Sequence, residues 1–291
     1  MVIASIDFIL LGILFIYVII ATIQDIKTRE VPDWLNYSLI SIALSLRFLY
    51  SLITNEWNYF LYGIMGAFIF FIVGNIMYYT RQWGGGDSKL LMGIGATIPI
   101  YPSFLLNYLH PNLNLPFLFI LIVNILLVGG LYGIFLSAMI ALKHRAKFKT
   151  ELMNLLKKEK IKTEISYSIL IIAVMLFVSI YSKSMLRIVG IGMALFIFIL
   201  GILLIFIKTV ENVSMYKIIS INKLTEGDWV VPFKFKSRLI TTSYLGVTKK
   251  DIARFKDMRI KTVMVKEGLP FVPAFLIGLI ITLIFGNVLA F

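Results

Sequence analysis

Eight apolar runs, at residues 3–23, 35–53, 59–79, 88–106, 117–142, 165–181, 188–207 and 270–289, decide what this chain can fold into. Each is close to the length a helix needs to cross roughly 30 Å of hydrocarbon. The expected fold class is an all-α polytopic membrane protein of about eight transmembrane helices, with a small α/β appendage before the last one. A hydrophobic content of 59% and a mean hydropathy of +0.93 lie far above the soluble range. The fourth run contains Pro99 and Pro102, which remove backbone donors, so it is expected to bend or end early. The first run has no basic segment ahead of it and is read as a retained helix, not a signal peptide.

The formal charge of +13 is concentrated between the runs. Residues 143–164 carry eight Lys and Arg against three Glu, and residues 208–267 carry thirteen against six Asp and Glu. The positive-inside rule puts both segments on the cytoplasmic side. They follow the fifth and seventh helices, so the parity of eight spans agrees and puts the N-terminus outside. The charge then reflects topology and anionic lipid headgroups, with no need for nucleic acid. The expected organisation is a transmembrane core at 1–142, a basic cytoplasmic loop at 143–164, helices six and seven at 165–207, a small cytoplasmic domain at 208–267 and a final helix at 268–291. Within the domain, "WVVPFKF" and "KTVMV" read as strands, and Thr248 reads as the N-cap of a helix.

The sequence has no cysteine, which excludes disulfides, thiol nucleophiles and thiolate metal sites, and its two histidines do not make a metal cluster. No metal or cofactor is therefore implied. Acids near the ends of the spans can be weighed one by one. Asp7, Glu30, Asp33 and Glu56 read as hydrated interfacial residues. Asp25 closes the first helix, where the helix dipole disfavours negative charge, and no local benefit explains it. Asp87 follows Gly84, Gly85 and Gly86 and reads equally as an N-cap of the fourth helix or as a reactive group. Three glycines exceed what a cap requires and suit close approach of a substrate backbone. Ser88 and Lys89 are adjacent on a helix and do not form a dyad. Lys89 and Arg47 are expected to snorkel to the interface.

Parity brings Asp25 and Asp87 to the same cytoplasmic boundary. Two carboxylates in contact cannot both ionise easily, so one keeps a proton as general acid while the other activates water. The ends of the first and fourth helices assign that proton to Asp25.

These residues resemble a known family. "GGGD", Gly84 to Asp87, fits the GxGD motif of intramembrane aspartic peptidases, and "DIKTREVPDWLN" resembles the first-aspartate segment of the prepilin and preflagellin peptidases, with its "[IV]P[ND]" turn. "KEGLPFVPAF" is similar to the start of the last helix in archaeal members. Bacterial prepilin peptidases differ in carrying an N-terminal cytoplasmic domain and a cysteine zinc motif, so the archaeal branch is the better match. The resemblance implies Asp25 and Asp87 as the catalytic pair, with Gly84, Gly85 and Gly86 admitting substrate. The implied activity is removal of short basic leaders from type IV pilin-like or archaellin precursors, without N-methylation. Glu30 and Asp33 are candidates for attracting the leader. A proton-coupled transporter relaying protons through Asp25 and Asp87, and a structural assembly protein, are the rival readings.

Overall fold

The structure, a computed structural model, describes residues 2–235, 238–243 and 245–290. In chain order the helices are α1 (Val2–Thr28), α2 (Asp33–Thr54), α3 (Trp57–Tyr79), α4 (Gly85–Thr97), α5 (Phe117–Lys143), α6 (Arg145–Lys157), α7 (Glu159–Tyr181), α8 (Ser184–Ser214), α9 (Lys249–Asp257) and α10 (Val272–Phe285). The strands are β1 (Tyr216–Ser220), β2 (Trp229–Val230), β3 (Phe233–Phe235), β4 (Arg238–Ile240) and β5 (Thr262–Lys266). Two compact units divide the chain, one of Met1–Gly133 with Gly268–Phe291, the other of Ile134–Glu267.

Among the described residues six helices, α1, α2, α3, α5, α7 and α8, are long and apolar enough to cross a membrane. The chain is a polytopic membrane protein. The remaining two apolar runs form the shorter helices α4, of 13 residues, and α10, of 14 residues, each about 20 Å long at 1.5 Å per residue.

In the first unit, α4 lies buried against α2 and α3. Its small residues make this possible. A β-carbon on Gly66 of α3 would sit 2.2 Å from the Gly95 carbonyl oxygen, and one on Gly95 would sit 2.3 Å from that of Gly66. Close backbone approach through small residues is how helices pack where lipid removes the hydrophobic drive. Leu14 and Val18 of α1, Leu35 and Leu39 of α2, Leu90 and Ile94 of α4, and Phe275 and Leu279 of α10 share one core.

As expected from its prolines, α4 stops at Thr97, two residues before Pro99. Arg47 departs from expectation. It is 2% exposed and does not snorkel: its Nε and Nη2 donate to the carbonyls of Ala96 and Thr97 at 3.0 and 2.8 Å, and Nη1 donates to that of Tyr59 at 3.0 Å. The last carbonyls of a helix lack intrahelical donors, and a guanidinium supplies several in one rigid fork.

In the second unit, α7 and α8 pack together and leave most of their apolar surface open, which suits contact with lipid. The segment 143–164, expected as a loop, is helical instead, with α6 across its middle and α7 beginning at Glu159. Lys, Glu and Leu are good helix formers, and Lys162 pairs with Glu159 one turn away. The strand expectations are met, with β1, β5 and β2 in one antiparallel sheet and β3 paired with β4. Phe255 of α9 packs with Val263 and Val265 beneath. Thr248 caps α9 as expected, its hydroxyl accepting from the Asp251 N–H while the Asp251 carboxylate accepts from the Thr248 N–H.

Candidate active site

Asp25 lies in the last turn of α1, 4% exposed. The dipole of its own helix gives it nothing, but a distant helix does. The Val272 N–H donates to Asp25 Oδ2 at 2.9 Å, and the Phe271 N–H also bonds the carboxylate. These are the first donors of α10, the group of N–H bonds that a helix leaves unpaired at its positive end. The benefit that the local sequence does not offer thus comes from a distant element: the carboxylate anchors the start of α10.

Asp87 stands in the first turn of α4, half-buried, and Gly84 occupies the cap position. The Gly84 N–H donates to Asp87 Oδ2 at 3.1 Å, the carboxylate half of a capping box. Packing of α1 against α4 brings the two acids within range of each other's charge. Each carboxylate thus meets the N-terminus of a short buried helix, Asp87 on α4 and Asp25 on α10.

The three glycines are not equivalent. None needs a left-handed backbone, and a β-carbon on Gly84 or Gly85 would meet its nearest neighbour at 3.5 or 3.7 Å, ordinary contact. On Gly86 it would sit 2.8 Å from the Val31 carbonyl oxygen and 3.0 Å from Val31 Cβ. Gly86 is consumed by the turn between α1 and α2. The same segment grips the glycine turn twice more: Asn36 Nδ2 donates to the Gly86 carbonyl at 3.0 Å, and Asp33 Oδ1 pairs with Lys89 Nζ at 2.6 Å. Lys89, expected to snorkel, is held in that pair because α2 begins beside the first turn of α4. Asp33 is engaged there, and Glu30 is exposed on the connecting turn.

Ser88 Oγ donates to the carbonyls of Gly74 at 2.9 Å and Gly84 at 3.1 Å. Its hydroxyl is bound to backbone and its lysine neighbour to Asp33, so the two form no dyad. Trp83 closes the other side of the turn, 3% exposed, tilted against Phe271 and edge-on to Phe275 at ring separations of 5.4 and 5.0 Å. Sequence reasoning missed Asn36, Trp83 and the Phe271–Val272 donors, although Asn36 lies inside the quoted "DIKTREVPDWLN" stretch and Phe271 and Val272 inside "KEGLPFVPAF". Among the described residues no three or more of Asp, Glu, His and Cys gather as metal ligands.

Residues 12–141 match the model of the type IV leader peptidase family. The preflagellin peptidase of Methanocaldococcus jannaschii is 30% identical over 149 residues, 50% of this chain and 63% of that protein. The preflagellin peptidase of Methanococcus voltae is 38% identical over 35% of this chain and 41% of its own length. That of Methanococcus maripaludis is 28% identical over 51% and 66%. The chain thus spans less than two thirds of each of these relatives. No solved structure matches it. Residues 12–141, which hold Asp25, the glycine turn and Asp87, are similar to the type IV leader peptidase family.

Proposed function

We propose that this protein is an aspartic endopeptidase that removes short basic leader peptides from type IV pilin-like or archaellin precursors at the cytoplasmic face of the membrane. The observation that carries the reading is the pair Asp25 and Asp87, drawn together at the starts of α10 and α4. Relatives described as preflagellin peptidases support the substrate class.

One carboxylate of the pair is ionised and takes a proton from water as the water attacks the scissile carbonyl; the other donates its proton to the carbonyl oxygen. Asp25 accepts two backbone donors from α10 and lies near the Arg29 cation, whereas Asp87 accepts one donor from Gly84. Hydrogen bonds to the charged form favour it. We assign Asp25 as base and Asp87 as acid, the reverse of what the ends of α1 and α4 imply alone.

Co-expression with preflagellin or pilin-like precursors, read by mobility shift and N-terminal sequencing, tests the reading. Asp25→Asn and Asp87→Asn should each abolish cleavage in a protein that still inserts and folds. Glu30→Gln should leave activity intact, and Asp33→Asn nearly so, since an exposed ion pair is worth at most about 1 kcal/mol. Initial rates should follow a bell, because low pH protonates both acids and removes the base while high pH ionises both and removes the acid. Substantial cleavage by either Asn variant would sink the two-aspartate mechanism, and proton-linked transport lost in both would favour a relay.

A further inference from the structure

Arg29 is the residue after α1, and its backbone is left-handed, with φ 61°. Outside glycine, asparagine and aspartate that conformation is uncommon and marks a position held by its surroundings. Two bonds hold it. The Arg29 N–H donates to the Asp25 carbonyl at 2.9 Å, closing the end of α1, and Nη1 donates to the Gly268 carbonyl at 2.6 Å. The second is a short, charge-assisted bond between segments far apart in sequence.

Gly268 has no side chain to pack, and nothing lies within 4 Å of where its β-carbon would be. It is also where the chain re-enters the first unit, just after β5. Three residues later come the Phe271 and Val272 N–H groups that bond the Asp25 carboxylate. Arg29 therefore grips the lead-in to the donors of Asp25 from the helix that carries Asp25, and its cation lies within range of that carboxylate. The other titratable groups that sense Asp25 are Asp87 from α4 and Tyr132 from α5.

We propose that Arg29 is a positioning residue for Asp25: through the Gly268 carbonyl it latches the N-terminus of α10 onto the catalytic carboxylate. This rests on the aspartic peptidase reading above. Because Arg29 is exposed, its replacement leaves the buried core untouched.

The test compares the full chain with Arg29→Met, Arg29→Lys, Val272→Pro and the Arg29→Met/Val272→Pro double variant in liposomes, with a preflagellin-type precursor as substrate. Misplacing a reacting group by a fraction of an ångström to one ångström lowers rates by about tenfold to a hundredfold. Arg29→Met should lose activity on that scale in kcat, with KM unchanged. Its acidic limb should move to higher pH, because Asp25 loses a nearby cation and the hold on its donors. Arg29→Lys, which keeps a charged donor, should recover much of the rate. Val272→Pro deletes the N–H at the first position of α10 and disfavours the helical conformation of Phe271, the second donor; the double variant should be no slower than the slower single one, as expected for one coupled unit. If Arg29→Met cleaves at the wild-type rate, loses only KM, or adds fully to Val272→Pro, the latch is wrong. Should Arg29→Met fail to fold, an unshifted acidic limb in Val272→Pro overturns it. Cleavage by Asp25→Asn would instead remove the peptidase mechanism itself, so the two failures are separable.

Discussion

Gly86 has no room for a side chain, and its neighbours cannot give way. Val31 is buried, precedes Pro32, and presents backbone rather than a flexible side-chain tip to the missing β-carbon. Gly86→Ala should lower cleavage strongly and cost about 1–3 kcal/mol of stability, the usual effect of overpacking, whereas Gly85→Ala should be close to neutral. Cleavage rates and melting temperatures in detergent check both, and equal behaviour of the two variants would mean that Val31 yields. That Asp25 and Asp87 lie within range of each other was legible in the sequence, because carboxylates are scarce in apolar spans and "GGGD" is unusual there. Which glycine matters was not, since the answer lies in Val31, brought in by the turn between α1 and α2. Asn36 was equally hidden: nothing local separates a buried amide that holds the Gly86 carbonyl from any other polar residue in a helix.

Among the helices, α4 is short, buried, and met by charged groups at both ends. Asp87 faces its first N–H groups, and Arg47 of α2 pairs its last carbonyls. Replacing Arg47 by Met leaves the carbonyls of Ala96 and Thr97, at the end of α4, without their donor, and each buried unpaired group costs about 1–3 kcal/mol. Arg47→Met should therefore abolish stable folding or lower the melting temperature sharply, and Arg47→Lys should recover only part, since one ammonium cannot reproduce the fork. A melting temperature within a few degrees of wild type for Arg47→Met would show that water or lipid replaces the fork. The early end of α4 was legible from Pro99 and Pro102, but its partner was not. The same holds for Asp25, whose donor Val272 is 247 positions away: a dipole argument confined to α1 saw the unfavourable end of one helix and could not see the favourable end of another.

At the scale of the whole molecule, the first unit has two unlike ends. One carries the α1–α2 and α3–α4 turns, whose flanking segments hold Lys27, Arg29, Arg81 and Lys89 as well as the two acids. At the other, a cavity of about 600 Å³ is lined by Asp7, Glu56 and several aromatic side chains, including Tyr59 and Tyr101. Basic residues favour the cytoplasmic side, so the proposed sidedness, with Asp25 and Asp87 where a basic leader ahead of a membrane helix would lie, makes a direct prediction. The chain has no cysteine, so single cysteines report sidedness cleanly. Cysteine placed at Thr28, Gln82, Lys158 or Lys249 should react with an impermeant thiol reagent only after the membrane is opened, while cysteine at Asn58 or Tyr108, both exposed at the opposite end of the first unit, should react in intact cells. Cleavage activity retained in each variant confirms that the labelled protein is the folded one. Labelling of Thr28→Cys and Gln82→Cys in intact cells, with Asn58→Cys protected, would invert the protein in the membrane and put Asp25 and Asp87 out of reach of a leader that has not yet crossed.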